Sequence, residues 1–158
     1  MKREYPDSPI VSVGGLVVRG KHFLLARRGK EPLKDIWTLP GGAVELGEEL
    51  EQAIVREILE ECQIEVRPLG IIEVFEQIFR DDKGRVKFHY VIVDFLLEYV
   101  SGEAKPLSDS TELKWITIDE LGKYNPPERA VKVIKRGLEV YRRLSSQPDT
   151  LIPFIKTD

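Results

Sequence analysis

The segment Glu49–Cys62 constrains this chain more than any other stretch. It is dense in Glu, Leu, Ala and Ile and carries no Gly or Pro after Gly47, so its composition predicts a helix over 47–62. With Leu50 at zero and about 100° per residue, Ala53, Ile54, Val55, Ile58 and Cys62 form a broad apolar arc. Glu57 and Glu61 fall at about −20° and +20°, inside that arc, and Glu60 lies about 80° round, at its edge. A salt-laced surface helix accounts for Glu48, Glu49 and Glu51. It does not account for Glu57 and Glu61. Like charges converging near a core repel one another and lose hydration unless cations compensate. Arg56 balances part of that charge. A hard divalent ion, Mg²⁺ or Mn²⁺, suits an oxygen-only set of ligands that also meets phosphate.

Around this helix the chain reads as strands. Ile10–Val18 is apolar and β-branched, and its Gly14-Gly15 pair predicts a bulge or a close backbone approach. His22–Ala26 returns after Arg19-Gly20-Lys21. A basic loop containing Pro32 follows, then a short strand over 36–39 stopped by Pro40-Gly41-Gly42, with 43–45 as its resumption. Segments 65–79 and 85–100 flank Asp81-Asp82-Lys83-Gly84 and predict a long hairpin. Leu113–Ile118 alternates as a last strand. Residues 127–144 predict an amphipathic helix whose stripe is Val131, Ile134, Leu138 and Tyr141. Strands, helix, strands and helix make an α+β or α/β layered domain with a mixed sheet between helices.

The 158 residues favour one domain, expected over 1–145, with a tail over 146–158. Lys plus Arg is 24 and Asp plus Glu is 27, a net charge of −3, which argues against general electrostatic binding to nucleic acid. A single cysteine and two histidines are too few for the usual zinc ligand sets, and Cys62 reads as a core thiol. The longest uncharged run, 8–18, is far short of a membrane span. The expected compartment is the cytoplasm, with neither membrane nor nucleic acid as a partner.

Gly42, five residues, Glu48, seven residues, then Arg56-Glu57-Ile58-Leu59-Glu60-Glu61-Cys62-Gln63-Ile64 resembles the Nudix box. Eight of its nine specified positions agree. The departure is Gln63, where the family has Gly. That Gly ends the helix in a left-handed cap, so Gln63 implies a cost of about 1–2 kcal/mol or a different helix end. The flanks are similar too, in 22–28, in Trp37-Thr38-Leu39-Pro40-Gly41-Gly42 and in Glu112-Leu113-Lys114-Trp115 with Asp119-Glu120-Leu121.

The resemblance implies a Nudix-like α/β/α sandwich and metal-dependent hydrolysis of the pyrophosphate in a nucleoside diphosphate derivative. Carried over by position, Glu60 and Glu61 are the main metal ligands, Glu57 a ligand or the general base, and the Gly42 carbonyl completes the shell. Arg56 orients the carboxylates with Glu48 as its partner. Glu112 supplies an extra ligand or base, with Glu73, Glu76 and Asp109 as rivals. Arg27 and Arg28 are the expected phosphate holders. The stretch His89-Tyr90-Val91-Ile92-Val93-Asp94-Phe95 resembles members that cleave ADP-ribose or related sugars, and a small nucleotide is the expected partner. Alternatives are a nucleoside triphosphate pyrophosphatase and a non-catalytic nucleotide sensor. Trp37, Phe75, Phe79 and Tyr90 are the aromatics open to a base. In the tail, Leu151, Ile152, Phe154 and Ile155 imply docking on this chain or on a second subunit, the latter making a homodimer.

Overall fold

The computed structural model describes residues 2–146. Seven strands and two helices follow one another as β1 (Ile10–Arg19), β2 (His22–Arg28), β3 (Trp37–Thr38), β4 (Gly41–Ala43), α1 (Leu50–Cys62), β5 (Glu65–Arg80), β6 (Val86–Ser101), β7 (Ser110–Ile116) and α2 (Glu128–Ser146). A short helical turn, Ile118–Lys123, precedes α2. The sheet runs β3-β2-β1-β6-β5, with β4 on β1 and β7 on β2. β1 and β6 are parallel and the other pairs antiparallel, so the sheet is mixed.

β1 alternates between two cores. Val13 and Val17 join Ala53, Ile54, Ile58 and Cys62 of α1. Leu16 and Val18 join Val133, Ile134 and Val140 of α2. Period-2 side-chain alternation lets one strand serve both faces, and the result is an α/β/α sandwich. Ile54 and Ile58 are fully buried, each contributing about 1.5–3 kcal/mol from removal of apolar surface. The buried line of α2 is Ala130, Val133, Ile134, Gly137 and Val140, rotated from the expected stripe: Val131, Leu138 and Tyr141 only flank it. Gly137 sets that rotation. A Cβ there would stand 2.5 Å from Leu16 and 2.7 Å from Ile72, so the helix approaches the sheet through its glycine.

Several boundaries differ from the sequence expectation. α1 begins at Leu50 and not at Gly47, because Gly47 has φ +83° and belongs to a turn, while Glu49 and Gln52 close a reciprocal cap. Pro40-Gly41-Gly42 does not stop the strand region. Gly41–Ala43 itself pairs with Ser12–Gly14. The Gly14-Gly15 pair is a close approach, with the β1–β6 register unbroken through it. The last strand starts at Ser110 and ends at Ile116, and α2 runs to Ser146. Gln63 takes the left-handed cap itself, at φ 60° and ψ 25°, and its N–H donates to the Leu59 carbonyl at 3.0 Å. The helix ends where a glycine would end it, with the strain retained. The apolar tail that the sequence expects to dock falls in 147–158, outside the described residues. Among the described residues no helix is long and apolar enough to cross a membrane.

Candidate active site

Two glycines let α1 press its carboxylates against the sheet edge. At Gly41 a Cβ would stand 2.0 Å from the Val13 carbonyl oxygen, so only glycine allows β4 to lie this close to β1. The Gly41 N–H is thereby aimed at the helix and donates to Glu61 Oε2 at 3.2 Å. The Ser110 hydroxyl reaches the same oxygen at 3.5 Å. At Gly42 a Cβ would lie 2.3 to 2.7 Å from the carboxylate atoms of Glu57. Both glutamates of the apolar arc are therefore seated on the Gly41-Gly42 backbone.

Glu61 is 5% exposed, and burial, followed by the charge of Glu57, pushes its pKa up to about 8. The Gly41 N–H opposes that rise. Burial also raises Glu57, against the pull of Arg56. Arg56 is the hub of the cluster. Its Nε and Nη2 grip Glu48 at 2.6 and 2.8 Å, Nη1 donates to Glu57 at 2.9 Å and Glu60 at 3.1 Å, and Nη2 also reaches the Ala43 carbonyl at 3.1 Å. Hydrogen bonds from Arg56 hold Glu48 down at about 2, and those to Glu48 push Arg56 above its usual range.

A cavity of about 340 Å³ opens beside these carboxylates. Glu57, Glu61, Gly41 and Gly42 form one wall. Phe75, Gln77, Tyr90 and Asp94 line the strands β5 and β6 within it. Arg3, Arg28 and Asp109 line it as well. Phe75 and Tyr90 are the two expected aromatics on this cavity. Trp37 instead packs edge-on against Tyr124 at 5.0 Å, and Phe79 against Phe88 at 6.3 Å.

The structure divides the expected site residues. Arg28 lines the cavity with Nε on the Pro32 carbonyl at 2.7 Å, and burial followed by the nearby Arg3 lowers its pKa. Arg27 does not line it. Successive strand residues face opposite ways, and Arg27 pairs across the sheet with Glu112 at 2.9 Å and with Asp35 at 3.5 Å. Glu112 is thus occupied by Arg27 and also lies off the cavity. Its rival Asp109 is in the wall, 2.7 Å from Lys30 and 4.0 Å from Arg3. Glu60 is exposed and held by Arg56. Glu76 is exposed, and Glu73 faces Arg129 at 3.4 Å.

Among the described residues no three acidic, His or Cys side chains stand together as a ready-made metal cage. The donor chemistry nonetheless fits a hard divalent ion: two carboxylates, Glu57 and Glu61, share a cavity wall, are desolvated and repel each other. Such ions take few protein ligands and complete their shell with water and substrate phosphate. Glu60 could join only by leaving Arg56.

Sequence reasoning missed Arg3, Asp94 and Arg129. Asp94 carried a signal, one carboxylate inside the apolar run 90–97 of a buried strand. Arg3 carried none, since its place depends on the fold of the N-terminal segment against Tyr90 and Asp109.

Comparison with known proteins agrees with this geometry. The NUDIX domain pattern matches residues 8–137. An ADP-ribose pyrophosphatase of Methanocaldococcus jannaschii is 34% identical over 115 residues, 73% of this chain and 66% of that protein. A NAD-capped RNA hydrolase NudC of Pseudomonas aeruginosa is 35% identical over 154 residues, 95% of this chain and 50% of that one. The crystal structure of a MutT NUDIX hydrolase from Burkholderia pseudomallei has a TM-score of 0.71 at 28% identity, covering 82% of this chain and 98% of that one. The chain spans about half to two thirds of the length of these curated relatives. The box carboxylates sit on Gly41-Gly42 within a mixed-sheet sandwich, and the domain pattern covers most of the sequence: the chain belongs to the Nudix family.

Proposed function

We propose that this chain hydrolyses the pyrophosphate linkage of a nucleoside diphosphate derivative, with ADP-ribose or a related sugar as the preferred substrate. The observation that carries this reading is the pair Glu57 and Glu61, desolvated on Gly41-Gly42 in the wall of a cavity of about 340 Å³ that Arg28 also lines. The ADP-ribose preference is supported by the identity to the Methanocaldococcus jannaschii enzyme.

In the reaction a water oxygen bonds to one phosphorus, the bridging P–O bond breaks, and the water's proton passes to a carboxylate. A divalent ion bound there would supply charge neutralisation on the phosphate oxygens and a more acidic water. Glu61, once ionised, would hold such an ion, with its carboxylate steadied by the Gly41 N–H. Glu57 takes the proton: it stands in the cavity wall beside Glu61, and burial raises its pKa against the pull of Arg56. Arg56 fixes Glu57 against Glu48 and the Ala43 carbonyl, so the base does not swing away. Arg28 offers its guanidinium to phosphate from the same cavity.

The test is a panel of ADP-ribose, other nucleoside diphosphate sugars, NAD and nucleoside triphosphates with Mg²⁺ or Mn²⁺, with released mononucleotide as readout. AMP and ribose 5-phosphate from ADP-ribose support the proposal. Pyrophosphate released from triphosphates alone makes the chain a triphosphate pyrophosphatase. Binding without any release makes it a nucleotide sensor.

A further inference from the structure

Two guanidiniums line the cavity with most of their donors unused. Arg3 is half-buried in the segment before β1, and Arg28 ends β2. Arg3 donates from Nε to the Tyr90 hydroxyl at 3.3 Å, and Arg28 from Nε to the Pro32 carbonyl at 2.7 Å. Among the described residues, the Nη groups of both make no hydrogen bond. Nor is either charge closely matched. Asp109 lies 4.0 Å from Arg3 but 2.7 Å from Lys30, and among the described residues no carboxylate comes within that reach of Arg28. Two like charges with open planar forks in one cavity call for an anion with several oxygens.

A chain of contacts sets this pair beside the carboxylates of α1. Asp109 adjoins Ser110, the cross-strand partner of Arg28. The Ser110 hydroxyl in turn reaches Glu61 at 3.5 Å.

Arg3 is held there by an anchor two residues along. The Tyr5 N–H donates to the Lys87 carbonyl at 2.8 Å, and its hydroxyl donates to Asp81 in the hairpin turn at 2.9 Å. The Arg85 guanidinium lies 5.0 Å from the Tyr5 ring centre and donates to the same Asp81 at 2.8 Å. Tyr5 has φ 49°, a conformation that a residue with a Cβ keeps where its surroundings hold it. Arg3 and Tyr5 both precede residues 8–137, the stretch that the family pattern covers, so family membership assigns them no role.

Building on the function proposed above, we infer that Arg3 is a substrate-binding residue that closes with Arg28 on the diphosphate, and that Tyr5 is its positioning residue. Each fork takes oxygens of one phosphate. A nucleoside diphosphate engages both arginines, while a monophosphate is left with Arg28.

The experiment is equilibrium binding of ADP and AMP to the full chain by calorimetry, with a chelator present so that no turnover occurs. The wild type binds ADP more tightly than AMP. In Arg3→Ala the ADP affinity falls about tenfold and the AMP affinity changes less than about twofold, with the circular dichroism spectrum unchanged. Arg3→Lys keeps the charge without the fork and recovers only part of the ADP affinity. Tyr5→Phe weakens ADP about threefold in the wild-type background and has no further effect in Arg3→Ala, because an anchor that acts through Arg3 has nothing left to position. An ADP affinity of Arg3→Ala within twofold of wild type overturns the inference. So do equal losses for ADP and AMP, or a wild type that binds neither. An equal effect of Tyr5→Phe in both backgrounds overturns the positioning role of Tyr5. A parallel assay of ADP-ribose hydrolysis by the wild type reports on the reaction itself: ADP binding that depends on Arg3 in a protein without turnover would keep the clamp and remove the proposed activity.

Discussion

Arg56 grips Glu48 with two nitrogens at 2.6 and 2.8 Å, across eight residues of sequence and from the first turns of α1 back to the loop before it. This clamp leaves Nη1 to hold Glu57 and Glu60 together. An ammonium has no planar fork and cannot make these contacts at once. Arg56→Lys therefore loses about 10- to 100-fold in kcat, with a stability loss of about 1–3 kcal/mol from the charged hydrogen bonds that go unmade. Steady-state kinetics and urea unfolding check both figures. Activity within twofold of wild type would show that the clamp does not position Glu57.

Glu61→Gln removes most turnover, about 100-fold or more, while the fold persists. The neutral amide keeps the shape and still accepts from the Gly41 N–H. The variant also alters the pH dependence of the metal-free protein. In wild type the folded-state pKa of Glu61 is raised to about 8, above its unfolded value. Between the two values the folded form holds a proton that the unfolded form has released, so stability falls as pH rises through that window. Gln cannot ionise, and the drop in melting temperature from about pH 5 to about pH 8 becomes shallower in the variant. Equal drops in both proteins would remove Glu61 as a source of that slope.

Divalent metal raises the melting temperature. Glu57 and Glu61 repel each other in a desolvated wall, and an ion that binds only the folded chain stabilises it by about 2.7 kcal/mol at a concentration a hundred times its dissociation constant. Differential scanning fluorimetry across a Mn²⁺ or Mg²⁺ titration reads this, and a double Glu57→Gln, Glu61→Gln variant does not respond. A melting point flat to millimolar ion speaks against the site.

Gly42→Ala separates site geometry from fold. The new Cβ would stand 2.3 to 2.7 Å from the Glu57 carboxylate, the movable end of a side chain. The expected result is a well-folded protein with activity reduced about tenfold or more, because Glu57 is displaced from the cavity wall. Circular dichroism with kinetics checks it.

Gln63→Gly is expected to stabilise the protein by about 1 kcal/mol, since glycine takes φ 60° without the Cβ penalty that Gln bears. A chemical denaturation midpoint that does not move would mean that Gln63 carries no strain at the helix end.

The sequence by itself determined the acidic helix and its face. The 3.6-residue period placed Glu57 and Glu61 among apolar residues, and that placement follows from backbone geometry alone, as does the exposure of Glu60 at the edge. It also determined the long hairpin, because Asp81 and Gly84 are turn residues set between two long runs that form strands. Local periodicity encodes the first and local turn chemistry the second. Tertiary structure decided the rest. Whether Arg27 or Arg28 faced the cavity depended on the register between β2 and β7, and that register is a pairing of segments far apart in sequence. The same pairing removed Glu112 from the cavity and left Asp109 in its wall. The role of Pro40-Gly41-Gly42 as a strand was hidden, since glycines read locally as a turn and become a strand only when β1 approaches within van der Waals reach. Asp94 was visible as a lone charge in an apolar run. Its surroundings, Gly14 against its carboxyl and Arg129 beyond Glu73, depend on pairings between distant segments that side-chain period cannot supply.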